Sequence, residues 1–111
     1  MHETGTYVCI EGPRFSTKAE SKMYRMWGAD VVGMTLVPEC VLAREAELCY
    51  ASIATVTDYD VWKDHPVCVD DIVKTMSANI ENVKHIITET IKKMPTEYGC
   101  ACKDALKGAF A

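Results

Sequence analysis

The chain has 111 residues, of which 49% are hydrophobic, and a formal net charge of −4 at pH 7. These values are typical of one globular domain and exclude a largely disordered chain. The absence of a long basic run argues against a nucleic-acid partner. No apolar stretch approaches the roughly 18 residues of a membrane span, and the polar start has no signal-peptide pattern. We therefore expect a cytoplasmic protein without a membrane partner.

The first elements alternate between strand and helix patterns. Residues 6–10 are rich in β-forming side chains and are bounded by glycines, which predicts a strand. A helix is expected over about residues 17–27, because Thr17 followed by Glu20 matches a capping box. Gly28 is expected to end this helix. The residues expected on its inner face are Met23, Tyr24 and Trp27.

The same alternation continues to the end of the chain. A short strand is predicted over residues 30–33, and Pro38 opens a second helix. The apolar run 50–56 is typical of a buried strand, and residues 69–93 predict a long helix. A short helix is possible over residues 103–110. The long helix has apolar side chains at helical spacing, namely Ile72, Val73, Met76, Ile80, Val83, Ile87 and Ile91.

This order of elements indicates the α/β class, in which helices cover a mostly parallel sheet. Three strands are few for such a sheet, and the long helix has more apolar surface than so small a sheet would cover. We therefore interpret residues 1–111 as a partial domain, the carboxyl-terminal half of a larger fold. Residues 95–111 form a cysteine-containing tail.

Candidate site residues follow the predicted strands, because ligands of open α/β sheets bind at the carboxyl ends of the strands. Asp58 and Asp60 are spaced to point the same way in an extended segment, although a solvated acidic loop has the same pattern. Phe15 could stack on a flat ring, or lie in the core. Met34 could contact a ligand or fill a gap, and Thr35 could bind one or cap a helix.

Arg14 lies in the same group of loops as these candidates. Its guanidinium could contact a ligand, or it could pair with Glu11 or Glu39.

The six cysteines differ in their sequence contexts. Cys9, Cys40 and Cys49 lie in apolar contexts, in which a buried thiol is expected. Cys100 and Cys102 form a close pair in the tail, which favours a redox-active or structural disulfide. A zinc site would need two further ligands, and no second cysteine pair is present, so no metal is expected.

Several motifs occur in a fixed order along the chain. They are Ile10-Glu11-Gly12-Pro13-Arg14-Phe15-Ser16-Thr17, Ala19-Glu20-Ser21, Trp27-Gly28-Ala29-Asp30, Val32-Gly33-Met34-Thr35, Pro38-Glu39, Leu42-Ala43-Arg44-Glu45 and Thr57-Asp58-Tyr59-Asp60. With these motifs the chain, to about residue 94, resembles the trimeric purine nucleoside phosphorylase family, and within it the branch that cleaves 5′-methylthioadenosine. Cys100-Ala101-Cys102 resembles the Cys-x-Cys tail of archaeal hyperthermophile members.

The resemblance implies the carboxyl-terminal half of a three-layer α/β/α fold with a mixed central sheet. It implies phosphorolysis of S-methyl-5′-thioadenosine, and of adenosine as a further candidate, to adenine and a sugar 1-phosphate. Inorganic phosphate would be a co-substrate, and neither a metal nor another cofactor would be needed. It also implies a homo-oligomer, a trimer or a dimer of trimers. The family's glycine-rich phosphate loop has no counterpart in these residues.

The resemblance also implies roles for individual residues. Asp58 would bond to N7 and the exocyclic amine of the purine and deliver a proton to N7 as a general acid. Asp60 would be the neighbouring acid that tunes it. Phe15 would pack against the base, Met34 would lie beneath the ribose, and Thr35 would contact phosphate.

Two positions point to a 6-aminopurine within this family. Members that prefer 6-oxopurines have Asn in place of Asp58 and Glu in place of Ser16. A carboxylate accepts a hydrogen bond from a 6-amino group, whereas an amide can donate one to a 6-oxo group. The residues matching the wall around the 5′ substituent are all apolar, which suits a methylthio group. They are Val69, Ile72 and Val73.

Two other functions remain open from the sequence. One is a truncated, non-catalytic chain that only binds adenine nucleosides or assembles with other chains. The other is a thiol-redox module built on Cys100 and Cys102, although no Cys-x-x-Cys in a thioredoxin-like context supports it.

Overall fold

The computed structural model describes residues 2–62, 68–97 and 99–109. Two short strands form a parallel pair, β1 over Tyr7–Cys9 and β2 over Val31–Gly33. Both were predicted from the sequence, with slightly wider bounds. The amide of the residue after β1 continues the pairing by donating to the carbonyl of Gly33 at 2.8 Å.

Helix α1, Lys18–Met26, connects the two strands and begins at the predicted capping box. The Glu20 amide donates to the Thr17 hydroxyl at 3.2 Å, and the Thr17 amide donates to the Glu20 carboxylate at 2.7 Å. Two amide groups that the first helical turn leaves without backbone partners are satisfied in this way. Gly28 follows the helix at φ +81°, a conformation that glycine adopts without a steric penalty.

The predicted inner face of α1 is only partly correct. Met23 and Tyr24 are half-buried, and Ser21 is the buried residue of the helix, at 3% exposed. Trp27 is 68% exposed, so its prediction as an inner residue is wrong. Trp27 is the residue that ends the helix, and its ring lies beside that of Tyr24, with 6.2 Å between ring centroids.

The strand pair is closely packed where Tyr7 crosses Gly33. A Cβ atom added at Gly33 would lie 1.8 Å from the Tyr7 hydroxyl oxygen. Only glycine therefore lets the tyrosine ring lie against β2 at this point. The carboxylate of Asp30 also accepts a hydrogen bond from the Thr6 amide at 2.7 Å, which joins the starts of the two strands.

Helix α2 spans Leu36–Glu45 but is interrupted at Val37, whose φ of −102° and ψ of 128° are not helical. Regular helix therefore begins at Pro38, as the sequence predicted. Thr35 occupies the N-cap position and makes no side-chain capping bond, so the interpretation of Thr35 as a helix cap is not supported. The Val37 amide instead donates to the sulfur of Cys9 at 3.4 Å.

The third predicted strand is not observed. Residues 50–56 have neither strand nor helix conformation, and within the described ranges the sheet consists of β1 and β2 alone. Tyr50, Ile53 and Val56 are 40%, 47% and 59% exposed. The prediction is wrong in this structure because a strand requires a partner for its backbone groups, and neither β1 nor β2 provides one.

Helix α3, Val69–Lys93, has the bounds that the sequence predicted. Five residues of its apolar stripe remain 43% to 63% exposed, which agrees with the expectation that the small sheet cannot cover this helix. They are Val73, Met76, Ile80, Ile87 and Ile91. The tail contains a 3-10 helix, Ala101–Asp104, followed by turns, so the predicted helix over 103–110 is wrong over its described part. Residue 110 lies outside the described residues.

The packing of the whole is open. The radius of gyration is 16.8 Å, whereas a compact domain of this length has about 13 Å. No hydrophobic side chain in the described part of the chain is fully buried. No helix among these residues is both long and apolar enough to cross a membrane. The architecture is therefore a small β–α–β unit followed by helices with uncovered apolar faces.

Candidate functional site

The carboxyl ends of β1 and β2 place two of the predicted loops side by side. Gly12 has φ +69°, and a Cβ atom added to it would lie 2.6 Å from the thioether sulfur of Met34. The loop after β1 therefore passes directly over the side chain that follows β2. This contact brings together the segments that contain Phe15 and Met34, as expected for adjacent parallel strands.

Phe15 and Ser16 have opposite environments in this loop. Phe15 is 49% exposed, so the alternative that it belongs to the core is wrong and its side chain is accessible. Ser16 is only 6% exposed, and its hydroxyl has no hydrogen-bond partner among the described residues. A buried hydroxyl without a partner carries a desolvation cost that a ligand could relieve.

Arg14 anchors the loop to helix α1. Its guanidinium forms two parallel bonds with Glu20, at 2.8 and 2.6 Å, so pairing with Glu11 or Glu39 is not observed. The Arg14 hydrogen bonds, together with those from Thr17, lower the pKa of Glu20 to about 2, and the same pair raises the pKa of Arg14. One carboxylate thus serves both the capping box and the loop that contains Phe15.

Glu39 has a different partner. Its carboxylate accepts a hydrogen bond from the Tyr50 hydroxyl at 2.8 Å, and this bond raises the pKa of Tyr50.

The acidic segment forms a turn and not an extended strand end. The Asp60 amide donates to one Asp58 oxygen at 2.8 Å, and the Thr57 hydroxyl donates to the other at 2.7 Å. Asp60 has φ +52°, so the prediction of two acids pointing the same way from an extended backbone is wrong. An Asx-type bond from Asp58 bends the chain here, which a spacing argument does not capture.

An aromatic contact connects this turn to helix α1. The rings of Tyr59 and Trp62 meet edge to face, 5.7 Å apart, and the Arg25 guanidinium lies 4.5 Å from the Trp62 ring centroid. A cation over an aromatic face is attractive. These contacts hold the acidic turn beside the last turn of helix α1. The ion pair of Arg14 and Glu20 lies at the opposite end of this helix.

The structure groups some of the predicted site residues and leaves others apart. Phe15, Ser16, Met34 and Thr35 follow the paired strands, and Thr35 is exposed. Across the described ranges, the hydrogen bonds of Asp58 stay within its own turn. The predicted 5′-substituent wall lies at the start of α3, where Ile72 is half-buried while Val69 and Val73 are 64% and 56% exposed.

Sequence reasoning missed a group of three cysteines. The sulfur of Cys49 lies 3.1 Å from that of Cys100, and with Cys102 the three sulfur atoms lie within 4.8 Å of one another. Cys49 is exposed, so its prediction as a buried thiol is wrong; Cys9 and Cys40 are partly buried. All six cysteines are free thiols, so the predicted Cys100–Cys102 disulfide is not observed.

The thiols of this group affect one another's ionisation. Hydrogen bonding to Cys100 and Cys102 raises the pKa of Cys49 to about 12, and the bond from Cys49 lowers the pKa of Cys100. The Cys-x-Cys spacing was the only sequence signal for the group. Nothing in the sequence relates Cys49 to a pair 51 residues away.

Comparison with known proteins places the chain in a family. Residues 1–92 match the phosphorylase superfamily. The chain belongs to this superfamily. Over 109 residues it is 62% identical to S-methyl-5′-thioadenosine phosphorylase of Nitrosopumilus maritimus, covering 98% of the chain and 41% of that protein. The chain thus spans less than half the length of this curated relative.

Solved structures of phosphorylases agree with the chain's fold. A double mutant of adenosine/methylthioadenosine phosphorylase from Schistosoma mansoni, in complex with adenine, superposes with a TM-score of 0.83 at 44% identity, covering 96% of this chain and 39% of that one. A methylthioadenosine phosphorylase from an Antarctic soil metagenomic library gives 0.84 at 41% identity, covering 94% and 37%. The predicted α/β fold of the nucleoside phosphorylase type is therefore confirmed for this superfamily member.

Proposed function

We propose that this chain is the base- and sugar-binding part of an enzyme that cleaves S-methyl-5′-thioadenosine with inorganic phosphate. The products would be adenine and 5-methylthioribose 1-phosphate. The observation that carries the proposal is the 62% identity over 109 residues to a protein named for this activity. The related Schistosoma enzyme, in complex with adenine, supports a 6-aminopurine as the ligand.

The loops after β1 and β2 are suited to a base attached to a sugar. The accessible ring of Phe15 offers a surface for stacking, with a centroid separation of about 4.5–7 Å typical of such contacts. At the next position, the buried Ser16 hydroxyl has no hydrogen-bond partner among the described residues, so it could bond to a ligand. Met34 lies against Gly12 and is half-buried, which suits a contact beneath the ribose. Thr35, exposed at the next position, would contact phosphate.

Asp58 would act as the acid that protonates N7 as negative charge develops on the departing purine. General acid catalysis of this kind contributes typically about 10²–10⁴-fold in rate. The turn bonds from Thr57 and from the Asp60 amide orient the carboxyl group of Asp58. To donate a proton, Asp58 would need its protonated form, and Asp60 is the acid two positions away.

The apolar start of α3 would receive the methylthio group. Val69, Ile72 and Val73 have no side-chain polar atoms, so a hydroxyl placed against them would lose its hydrogen bonds to water. The larger part of the phosphate site would come from protein outside these residues, because the relative is more than twice as long as this chain. The complete enzyme would be a homo-oligomer, a trimer or a dimer of trimers, and would require neither metal nor cofactor for this reaction.

The test is the Asp58→Asn substitution in the complete enzyme. An amide cannot protonate N7, so kcat/KM for adenosine should fall about 10²–10⁴-fold. The loss for inosine should be smaller, because an amide can donate to a 6-oxo group. Asp104→Asn, in the 3-10 helix of the tail, is the matched control and should leave both values unchanged. An unaltered adenosine-to-inosine preference in Asp58→Asn would contradict the assignment of Asp58.

A further inference from the structure

Three cysteine side chains that the proposed phosphorolysis does not use meet near the carboxyl-terminal end of the chain. We refer to Cys49, Cys100 and Cys102 as the three-cysteine cluster. Cys49 follows helix α2, whereas the other two belong to the tail. The Cys49 and Cys100 sulfur atoms are 3.1 Å apart, and all three sulfur atoms lie within 4.8 Å of one another. This convergence of distant segments resembles the ligand side of a metal centre.

The spacing of the sulfur atoms suits a tetrahedral ion. A zinc–sulfur bond is about 2.3 Å long, so two thiolates on one tetrahedral zinc ion lie about 3.8 Å apart. The Cys49 and Cys100 sulfur atoms are 3.1 Å apart and no separation within the cluster exceeds 4.8 Å, so small side-chain movements would bring all three sulfur atoms to this spacing. We propose that the three-cysteine cluster binds one Zn²⁺ ion through three thiolates.

The surroundings of the cluster favour a divalent cation with one oxygen ligand. A shallow pocket of about 340 Å³ is lined by Cys49 and Cys100 together with Glu47, Glu97 and Lys103. The lining has two carboxylates and one ammonium group, so this pocket has a net negative charge. Zinc accepts oxygen as well as sulfur, so water or one of these carboxylates can complete the tetrahedron. A monovalent copper ion is softer and gains less from such oxygen groups.

Glu47 is held beside the cluster by the tail itself. One of its carboxylate oxygens accepts a hydrogen bond from the Leu106 amide at 3.2 Å. The tail therefore already contacts the segment that follows α2 through a bond independent of the cysteines. A zinc ion would strengthen the same connection, because metal binding stabilises the folded arrangement of its ligands.

A metal ion accounts for the third sulfur better than a disulfide does. A disulfide joins only two cysteines, whereas one zinc ion can bind all three thiolates. No disulfide is present, since all six cysteines are free. From the sequence alone, zinc lacked two ligands in addition to Cys100 and Cys102. In the structure Cys49 provides the third ligand, and a pocket carboxylate or water can provide the fourth.

The experiment is a titration of the fully reduced protein with Co²⁺, which reports its ligands by visible and near-ultraviolet absorption, followed by Zn²⁺. We expect thiolate-to-cobalt charge-transfer bands that saturate at one ion per chain and disappear when Zn²⁺ displaces Co²⁺. Cys49→Ser should weaken Zn²⁺ binding at least about tenfold, since even the loss of groups beyond the ligands costs 10- to 100-fold. Cys68→Ser, an exposed cysteine outside the cluster, is the matched control.

Circular dichroism of each variant separates loss of a ligand from loss of the fold. The proposal is overturned if the reduced, folded protein shows no charge-transfer bands. It is equally overturned if Cys49→Ser binds Zn²⁺ as tightly as the unaltered protein, because Cys49 would then not be a ligand. Limited proteolysis gives a second readout that does not depend on enzymatic activity. Zn²⁺ should protect the tail of the unaltered protein from cleavage, but should not protect the tail of Cys49→Ser.

Discussion

The β–α–β unit, residues 6–33, and the long helix α3 are held in different ways. In the unit, a capping box, a bidentate ion pair and a glycine contact all lie within a short stretch of chain. In α3, ion pairs three residues apart join Glu81 to Lys84 and Glu89 to Lys92, while its apolar stripe is largely exposed. The unit is therefore held by specific contacts between its elements, whereas the described contacts of α3 lie mostly within the helix itself.

The largest effect is expected from Gly33→Ala. The added methyl group would overlap the Tyr7 hydroxyl, 1.8 Å from the position of Cβ, and would force the tyrosine ring to move. Overpacking of this kind costs about 1–3 kcal/mol, and the rigid tyrosine ring, whose Cζ would lie 2.6 Å from the new Cβ, must leave its position. Chemical denaturation should report the loss.

Gly99→Ala is the matched control for this substitution. A Cβ atom at Gly99 would have no heavy atom within 4 Å, and its backbone is not in the left-handed region. A Gly33→Ala protein as stable as Gly99→Ala would show that β1 and β2 are not packed as described.

Thr17→Ala should have the next largest effect. It removes the hydroxyl that accepts from the Glu20 amide, and loss of an N-cap side chain costs about 1 kcal/mol. Thr35→Ala changes the same residue type at the N-cap of α2, where no side-chain bond exists, and should cost clearly less. Equal losses in the free energy of unfolding would show that the Thr17 capping bond does not stabilise α1.

Polar substitutions on α3 should have a smaller effect still in the 111-residue chain by itself. Met76 and Ile80 are 53% and 47% exposed, so replacing each with Gln should change the unfolding free energy by no more than about 0.5 kcal/mol. The measurement is a denaturation curve at several protein concentrations. A loss above about 2 kcal/mol would show that the apolar stripe of α3 is covered in solution. Helix α3 would then depend on specific contacts, as the β–α–β unit does.

The smallest effect concerns the pH dependence of the loop that Arg14 anchors. The pKa of Glu20 is lowered to about 2, mainly by hydrogen bonding from Arg14, against about 4.3 in an unfolded chain. The carboxylate therefore contributes its full stabilisation above about pH 4.3, and this contribution is lost as the pH falls toward 2. The contribution is modest, because the pair is exposed to solvent and salt screens it.

An NMR titration of the Glu20 carboxyl group and of the Thr17 amide measures this dependence. Both signals should change together, with a midpoint near 2, and Arg14→Gln should move the midpoint toward the ordinary value for a glutamate. A midpoint near 4 in the unaltered protein would show that the bidentate pair does not persist in solution.

Several features of this protein followed from the sequence alone. The capping box of α1 and both ends of α3 were predicted correctly, because helix signals act between residues three or four positions apart. The motifs from Ile10 to Asp60 indicated the phosphorylase family, which the match over residues 1–92 confirms. Phe15, Ser16, Met34 and Asp58 are proposed site residues on the same grounds.

Other features depended on contacts between distant segments. Residues 50–56 have the composition of a strand, but composition does not provide the neighbouring strand that pairing requires.

Only the tertiary structure brought Cys49 to Cys100 and Cys102. A contact across 51 residues leaves no periodicity in the sequence, since it depends on how the chain after α2 and the tail are placed in space. Local order in this protein was thus determined by neighbouring residues, while the three-cysteine cluster was decided by the path of the folded chain.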